Sequence, residues 1–167
     1  AEELEILTPH KGQIPEEIFT QEFKVPVTDG SGNIRNNLRS AIQLLEDAGY
    51  REFNEDKIRF KTLEDGSKQV LEFEILHYSQ VYERWILPFI KNLERIGVKA
   101  KFRVVDPAQF QNRVNDFDYD MIIANIGQSD SPGNEQREFW HSEKADVKGS
   151  RNYIGIKDPV IDAMIDG

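Results

Sequence analysis

Asp118-Tyr119-Asp120-Met121-Ile122-Ile123-Ala124-Asn125-Ile126 runs straight into Gly127-Gln128-Ser129-Asp130-Ser131-Pro132-Gly133-Asn134-Glu135-Gln136-Arg137, followed by Glu138-Phe139-Trp140. Five of the six side chains from Met121 to Ile126 are apolar. Such a run is too continuous for a strand with one wet face. It predicts a strand, Tyr119 to Ile126, covered on both sides as in a parallel sheet packed by helices. The next eleven residues, 127–137, hold two glycines, a proline and mostly hydrogen-bonding side chains. A buried strand ending in such a loop is where open α/β sheets place ligands; a solvated surface loop is the other reading of that composition.

Two strand patterns stand upstream. Val70 to Leu76 alternates and then turns apolar, predicting a strand that starts near an edge and ends buried. Val98 to Val105 sets Val98, Ala100, Phe102 and Val104 against Lys99, Lys101 and Arg103, predicting a solvated face or an edge. Between them Ser79 can cap a helix from Gln80 to Ile96, with Val81, Trp85, Leu87, Phe89, Ile90, Leu93 and Ile96 as its apolar positions. Pro88 inside this pattern predicts a kink or a fresh start, and Gly97 a stop. Asp106-Pro107-Ala108-Gln109 predicts a capped helix reaching about Asn115. Strands joined by helices are parallel, with right-handed crossovers. Numbered along the chain, the strands take the spatial order 2-1-3, with Val70 to Leu76 inside. The carboxyl ends of the first and third would then line a crevice, with His77, Tyr78 and Ser79 on one side and Gly127, Gln128 and Ser129 on the other.

The remaining elements are peripheral. Glu2 to Leu7 predicts a helical turn or strand stopped at Thr8-Pro9, and Pro15 before Glu16 and Glu17 a short helix. Val25-Pro26-Val27 reads as extended, and Thr28-Asp29-Gly30-Ser31-Gly32 as a turn, so residues 1–32 form an irregular arm or connector. Asn33 or Ser31 can cap a helix from Ile34 to Ala48 whose Leu38, Ala41, Ile42, Leu45 and Ala48 share one face, ended by Gly49. Lys57 to Leu63 and Lys68 to Leu76 flank Glu64-Asp65-Gly66-Ser67, a hairpin signal. Residues 1–167 thus read as one α/β domain, a β-α-β-α-β unit with an added hairpin and outer helices.

Composition excludes several function classes. A net charge of -9 argues against a nucleic-acid partner, whose phosphates need clustered Lys and Arg. No cysteine is present, so there is no disulfide, thiol nucleophile or Cys-based zinc site. No apolar run has the length of a membrane span. The chain begins at Ala1 without a methionine or a signal peptide, which predicts a processed or excised piece. Ser79 and Ser129 lack a nucleophile elbow. Asp118 and Asp120 share a strand face, but no His or Glu spacing completes a metal site, and no cofactor motif is found. A hydrolase domain and a generic protein-interaction domain are the alternative readings.

A family pattern now becomes visible. Leu71-Glu72-Phe73-Glu74-Ile75-Leu76, Phe89-Ile90-Lys91-Asn92-Leu93-Glu94-Arg95-Ile96-Gly97-Val98 and Val105-Asp106-Pro107-Ala108-Gln109-Phe110 resemble family 5 extracellular solute-binding proteins, the receptor subunits of ABC importers. Leu38 to Tyr50 resembles the helix before the hairpin in that family. Gly127-Gln128-Ser129 with Ser131-Pro132-Gly133-Asn134-Glu135-Gln136-Arg137 resembles its YejA-like branch. The resemblance implies a periplasmic-binding-protein fold of type II and most of the second, C-terminal lobe of a larger two-lobe receptor. It also implies an extracytoplasmic, periplasmic parent. Such a parent would bind oligopeptides or peptide-like compounds between its lobes and deliver them to a membrane permease. The partners implied are the ligand, the ABC permease and the first lobe, with no cofactor and no catalysis. Many relatives carry Trp-Gly-Ala-Asp after the strand, whose acid meets a peptide amino terminus. Here Ile126-Gly127-Gln128-Ser129 leaves Asp130, one place later, as the candidate.

Several residues carry two readings. His77 either touches ligand or is a satisfied structural histidine. Trp140, with Phe139, is an aromatic wall or core. Arg137 braces the loop through Glu135 or meets a ligand carboxylate, and bracing is the preferred reading. Asn134 joins the candidate set from the loop, and Asn152-Tyr153 resembles a family segment near the pocket.

Overall fold

The computed structural model describes residues 2–130 and 133–166; Ser131 and Pro132, part of the loop read from the sequence, lie outside the described residues. The chain forms two compact units, one from Ala1–Val25, Gln111–Asp118 and Ala124–Gly167, the other from Pro26–Phe110 and Tyr119–Ile123. In the first unit α1 (Glu2–Leu7) passes into a 3-10 turn, Thr8–His10, with Pro9 early in it, where its missing N–H costs no bond. α2 (Glu17–Thr20) follows Pro15 with Glu17 in its first turn.

The second unit holds two three-stranded sheets. α3 (Arg35–Asp47) starts where Asn33 Oδ1 accepts the Arg35 N–H, and it ends at Gly49, which takes φ 92°. β1 (Glu52–Phe53), β2 (Arg59–Thr62) and β3 (Lys68–Val70) form an antiparallel sheet in that order. The β2–β3 turn is the expected one: Asp65 Oδ1 accepts the Ser67 N–H and Gly66 takes φ 81°. The strand expected from Lys68 to Leu76 is split at Leu71. Leu71 N–H donates to the Arg59 carbonyl of one sheet, and its carbonyl accepts from Lys99 N–H of the other.

From Leu71 the chain enters β4 (Glu72–His77), the centre of the second sheet. β5 (Lys99–Val104) and β6 (Met121–Ile122) flank it in parallel, giving β5-β4-β6, the expected order. β4 goes from an exposed Glu72 to buried Ile75, Leu76 and His77. α4 (Glu83–Glu94) lays Ile86, Ile90 and Leu93 against Phe73, Ile75, Ala100 and Phe102. The cationic face of β5 meets carboxylates on β4, with Lys99 2.9 Å from Glu72 and Arg103 3.7 Å from Glu74. α5 (Pro107–Asn115) is capped as expected, Asp106 Oδ1 accepting from the Ala108 and Gln109 N–H groups at 3.0 Å each.

The structure corrects the sequence reading here. The strand expected over Tyr119 to Ile126, covered on both faces, is a ladder of Met121 and Ile122 alone, with Met121 41% and Ile126 43% exposed. Its partner sets the limit. Met121 and Ile122 pair with Ile75 and Leu76, and β4 ends one residue later at His77, so nothing remains for 124–126 to bond. Another correction concerns the fresh start expected at Pro88. Gln80–Tyr82 is a 3-10 turn with Ser79 Oγ accepting the Val81 N–H, and α4 then runs from Glu83 through Pro88 without interruption. The restart therefore lies at Glu83. Pro88 frees the Arg84 carbonyl, but both residues are exposed, so water can take the lost donor's place. The apolar face is also narrower than expected. Val81, Trp85, Leu87 and Phe89 are 45% to 64% exposed.

In the first unit α6 (Asn134–Trp140), a 3-10 turn at Ser142–Lys144 and α7 (Pro159–Asp166) complete the chain, α7 packing on α1 and α6. Asp158 Oδ1 caps α7 through the Val160 N–H. Phe139, Val160, Ala145, Leu7 and Val114 are buried there. Asn152, with no exposure, donates to the His141 and Ile156 carbonyls and accepts the Ile156 N–H. Arg59 and Gly97 of the second unit generate a test. Arg59 is 4% exposed and donates to the Ile96 and Tyr50 carbonyls at 2.8 and 2.7 Å. Replacing it with leucine leaves both carbonyls unpaired, and urea denaturation should show a loss of about 2–4 kcal/mol. Gly97→Ala places a Cβ 2.7 Å from the Phe53 ring at φ 81° and should cost about 2 kcal/mol or more. Wild-type midpoints for both variants would refute this account.

Candidate functional site

The loop after Ile126 is shorter than the sequence suggested, because Asn134 to Arg137 form the first turn of α6. Gly133 precedes that turn and supplies no side-chain cap. Glu135 reaches back instead: its Oε1 accepts from Ser129 Oγ at 2.7 Å and from Ser129 N–H at 3.5 Å. The Ser129 hydroxyl, followed by backbone N–H groups, holds the Glu135 carboxyl below its ordinary value of 4.5. A Cβ on Gly133 would stand 2.9 Å from the Glu135 carboxylate, so this close approach suits glycine.

The expected Glu135–Arg137 brace does not form. Arg137 pairs with Asp166 of α7 through Nη2, and its Nη1 lies 3.5 Å from Glu143. One reason is helix geometry: residues two apart on a helix point to different faces. Arg137 is still a brace, but it ties α6 to α7. Nearby, Asp162 Oδ1 accepts the Ser142 N–H at 2.8 Å, and this bond holds the Asp162 carboxyl below 3.8. His141 Nδ1 accepts the Glu143 N–H at 3.1 Å and lies 3.8 Å from Asp162.

A cavity of about 650 Å³ opens between α6, the preceding loop and α7. Gln128, Asn134, Arg137 and Trp140, all nominated from the sequence, line it together with Ile161, Met164, Ile165 and Asp166. Gly127, Ser129 and Asp130 belong to the same loop but do not line the cavity. The α7 wall was missed. Ile161, Met164 and Ile165 recur at helical spacing, which in sequence is the signature of an ordinary packing face. Of the two adjacent aromatics, Phe139 is core, with no exposure and the Arg151 guanidinium 4.2 Å above its ring, while half-buried Trp140 is the wall.

The second unit brings His77, Tyr78 and Ser79 together at the end of β4. His77 is 2% exposed, its Nδ1 accepting the Ser79 N–H at 2.9 Å. Its ring lies 4.6 Å from Tyr78, 4.2 Å from Tyr82 and 5.6 Å from Phe110. Tyr78 is half exposed, as is Trp85, whose ring lies 5.6 Å from Tyr82. Both acids considered for a metal are engaged: Asp118 with Arg113 at 2.9 Å, and Asp120 Oδ2 with the Glu74 N–H at 2.8 Å. Among the described residues no group of three or more His, Asp or Glu side chains could hold a metal ion. Among them, too, no helix is long and apolar enough to cross a membrane.

Comparison with known proteins places this geometry in context. The model of bacterial extracellular solute-binding proteins, family 5 middle region, matches residues 8–146. The "Probable peptide-binding protein YejA" of Agrobacterium fabrum is 42% identical over 163 residues, covering 98% of this chain and 26% of that protein. The "Peptidoglycan-binding protein YepA" of the same organism is 38% identical, over 98% of this chain and 26% of its own length. The chain thus spans about a quarter of the length of these relatives. Among solved structures, the oligopeptide-binding protein AppA of Bacillus subtilis, in complex with a nonapeptide, is similar with a TM-score of 0.61. The match has 22% identity and covers 99% of this chain and 33% of that one.

The Ser129–Glu135 bond is open to titration. A carboxyl whose folded pKa is depressed contributes stability above its unfolded value and loses it as pH falls through the folded value. Glu135 should therefore titrate below 4.5 by NMR, with amide exchange of Gly127 to Asp130 rising as it protonates. Ser129→Ala should return the titration toward 4.5. A Glu135 midpoint unmoved by that substitution would show the bond to be absent in solution.

Proposed function

The chain belongs to the bacterial extracellular solute-binding proteins, family 5, and on that premise we propose that it is the C-terminal lobe of a longer two-lobe receptor serving an ABC importer. Its task is to supply one wall of a cleft that takes oligopeptides or peptide-like compounds, which the receptor delivers to the membrane permease. The parent works outside the cytoplasm, in the periplasm, and binds without catalysis. The observation that carries this reading is the cavity beside α6, where Gln128, Asn134, Arg137 and Trp140 meet an apolar wall. Mostly apolar linings with a few polar groups are how small-ligand sites are built. Amides from Gln128 and Asn134 suit a peptide backbone, which offers donors and acceptors independent of sequence. The names of the relatives, one for peptides and one for peptidoglycan, support the same ligand class. In the first unit Gly127, Ser129 and Asp130 complete the proposed ligand-facing set; in the second, Tyr78 and Ser79 are proposed to face ligand, with buried His77 packed behind Tyr78.

Two experiments test this. In the full-length protein, Gln128→Ala should weaken peptide binding by about three- to tenfold in calorimetry, the worth of one neutral hydrogen bond, with an unchanged melting temperature. Wild-type affinity would remove the loop from the pocket. The 167-residue chain alone should fold, yet bind the same peptide only near millimolar. It offers a fraction of the contacts while the loss of translational and rotational freedom stays the same, several kcal/mol. Micromolar binding by the isolated chain would show that one lobe holds the whole site.

A further inference from the structure

Among the described residues, the lining of the cavity beside α6 holds one cation and one carboxylate, Arg137 and Asp166, and they are paired with each other. Glu143, 3.5 Å from Nη1, gives Arg137 a second carboxylate. Two further groups offset these carboxylates only in part: Lys144, bonded to Glu138 at 2.9 Å, stands 3.9 Å from Glu143, and His141 Nε2 lies 3.8 Å from Asp166 Oδ2. His141 contributes its Nδ1 as an acceptor to the Glu143 N–H, and Asp162 adds a further carboxylate behind the 3-10 turn. A ligand carboxylate entering here would have to displace Asp166 or Glu143 from the guanidinium, in a negative field. The rest of the lining asks for something else: Trp140, Ile161, Met164 and Ile165 present apolar surface. A volume of about 650 Å³ is ample for a large side chain.

Resting on the peptide-binding reading, we propose that this cavity is a subsite for an uncharged, apolar side chain of the peptide and discriminates against Asp and Glu there. Gln128 and Asn134 serve the adjoining backbone. Arg137 is a positioning residue that joins α6 to α7 and is not the receptor of a ligand carboxylate. The discrimination arises because the Arg137 fork, suited to a carboxylate, is already occupied.

The test uses the full-length protein and alanine pentapeptides in which a single Leu or Glu is scanned through the five positions, with affinities read by calorimetry. At one position Leu should exceed Glu by about tenfold or more. The double change Glu143→Gln with Asp166→Asn frees Arg137 and should shrink that ratio to about threefold or less. Both residues are half exposed, so the double variant should keep its fold, checked by its melting curve. Met164→Ala, which removes part of the apolar wall, should lower the affinity of the Leu peptide several-fold. Binding of Leu and Glu peptides with equal strength at every position overturns the proposal, and so does a ratio unmoved by the double change. Failure of every peptide to bind would overturn the peptide-binding reading and this subsite with it, a result distinct from binding without discrimination.

Discussion

Arg59 is nearly fully buried, and its guanidinium donates to the carbonyls of Ile96, at the end of α4, and Tyr50, just beyond α3. Glu46 of α3 lies 3.6 Å from a third nitrogen, and the Phe53 ring of β1 covers the plane at 4.6 Å. Its main chain bonds Gly97 on one side and Leu71 on the other. The antiparallel hairpin, the parallel sheet and two helix ends of the second unit therefore meet on one side chain. Only an arginine offers a planar fork with enough donors for this, and lysine could not hold two carbonyls in fixed directions. Its closeness forces glycine at 97, where a Cβ would strike Arg59 at 2.9 Å and Phe53 at 2.7 Å. From that junction β4 leaves Leu71 in fixed register with β5, and the end of β4 places His77 and Tyr78.

The first unit solves the same problem with other side chains. Asn152, without exposure, satisfies its amide on the chain at His141 and Ile156. The Ser129–Glu135 bond folds the loop onto the start of α6, and Arg137 holds α6 to α7. A binding wall profits from such fixtures, since side chains already held in place lose little freedom when a ligand arrives. The same fixtures decide chemistry: an arginine engaged by two carboxylates is a strut, whatever its charge.

Much of this was legible in the residues. Asp106 and Ser79 cap their helix or turn, and Asp65-Gly66 makes the hairpin, because these signals act over two to four residues. The order β5-β4-β6 followed from ranking strands by burial. The length of β6 was not legible, since a ladder ends where its partner ends, and the partner lies far away in sequence. Nor was the role of Pro88, whose cost depends on whether the freed carbonyl faces water.

The amino-acid sequence by itself determined the helices, the turns, the parallel unit and the solute-binding family, through local periodicity, capping chemistry and motif. Four cavity residues, Gln128, Asn134, Arg137 and Trp140, were also nominated in it, the first three from one loop. Tertiary structure alone decided what those residues face. Ile161, Met164 and Ile165 become a cavity wall only because α7 packs on α6, and Arg137 meets Asp166 from 29 residues away. Arg59 lies in the run Lys57 to Leu63 with nothing in the sequence to single it out, and becomes the buried centre of its unit because Ile96 and Tyr50 turn their carbonyls to it. Pairings of this kind are set by three-dimensional proximity, and no spacing along the chain encodes them.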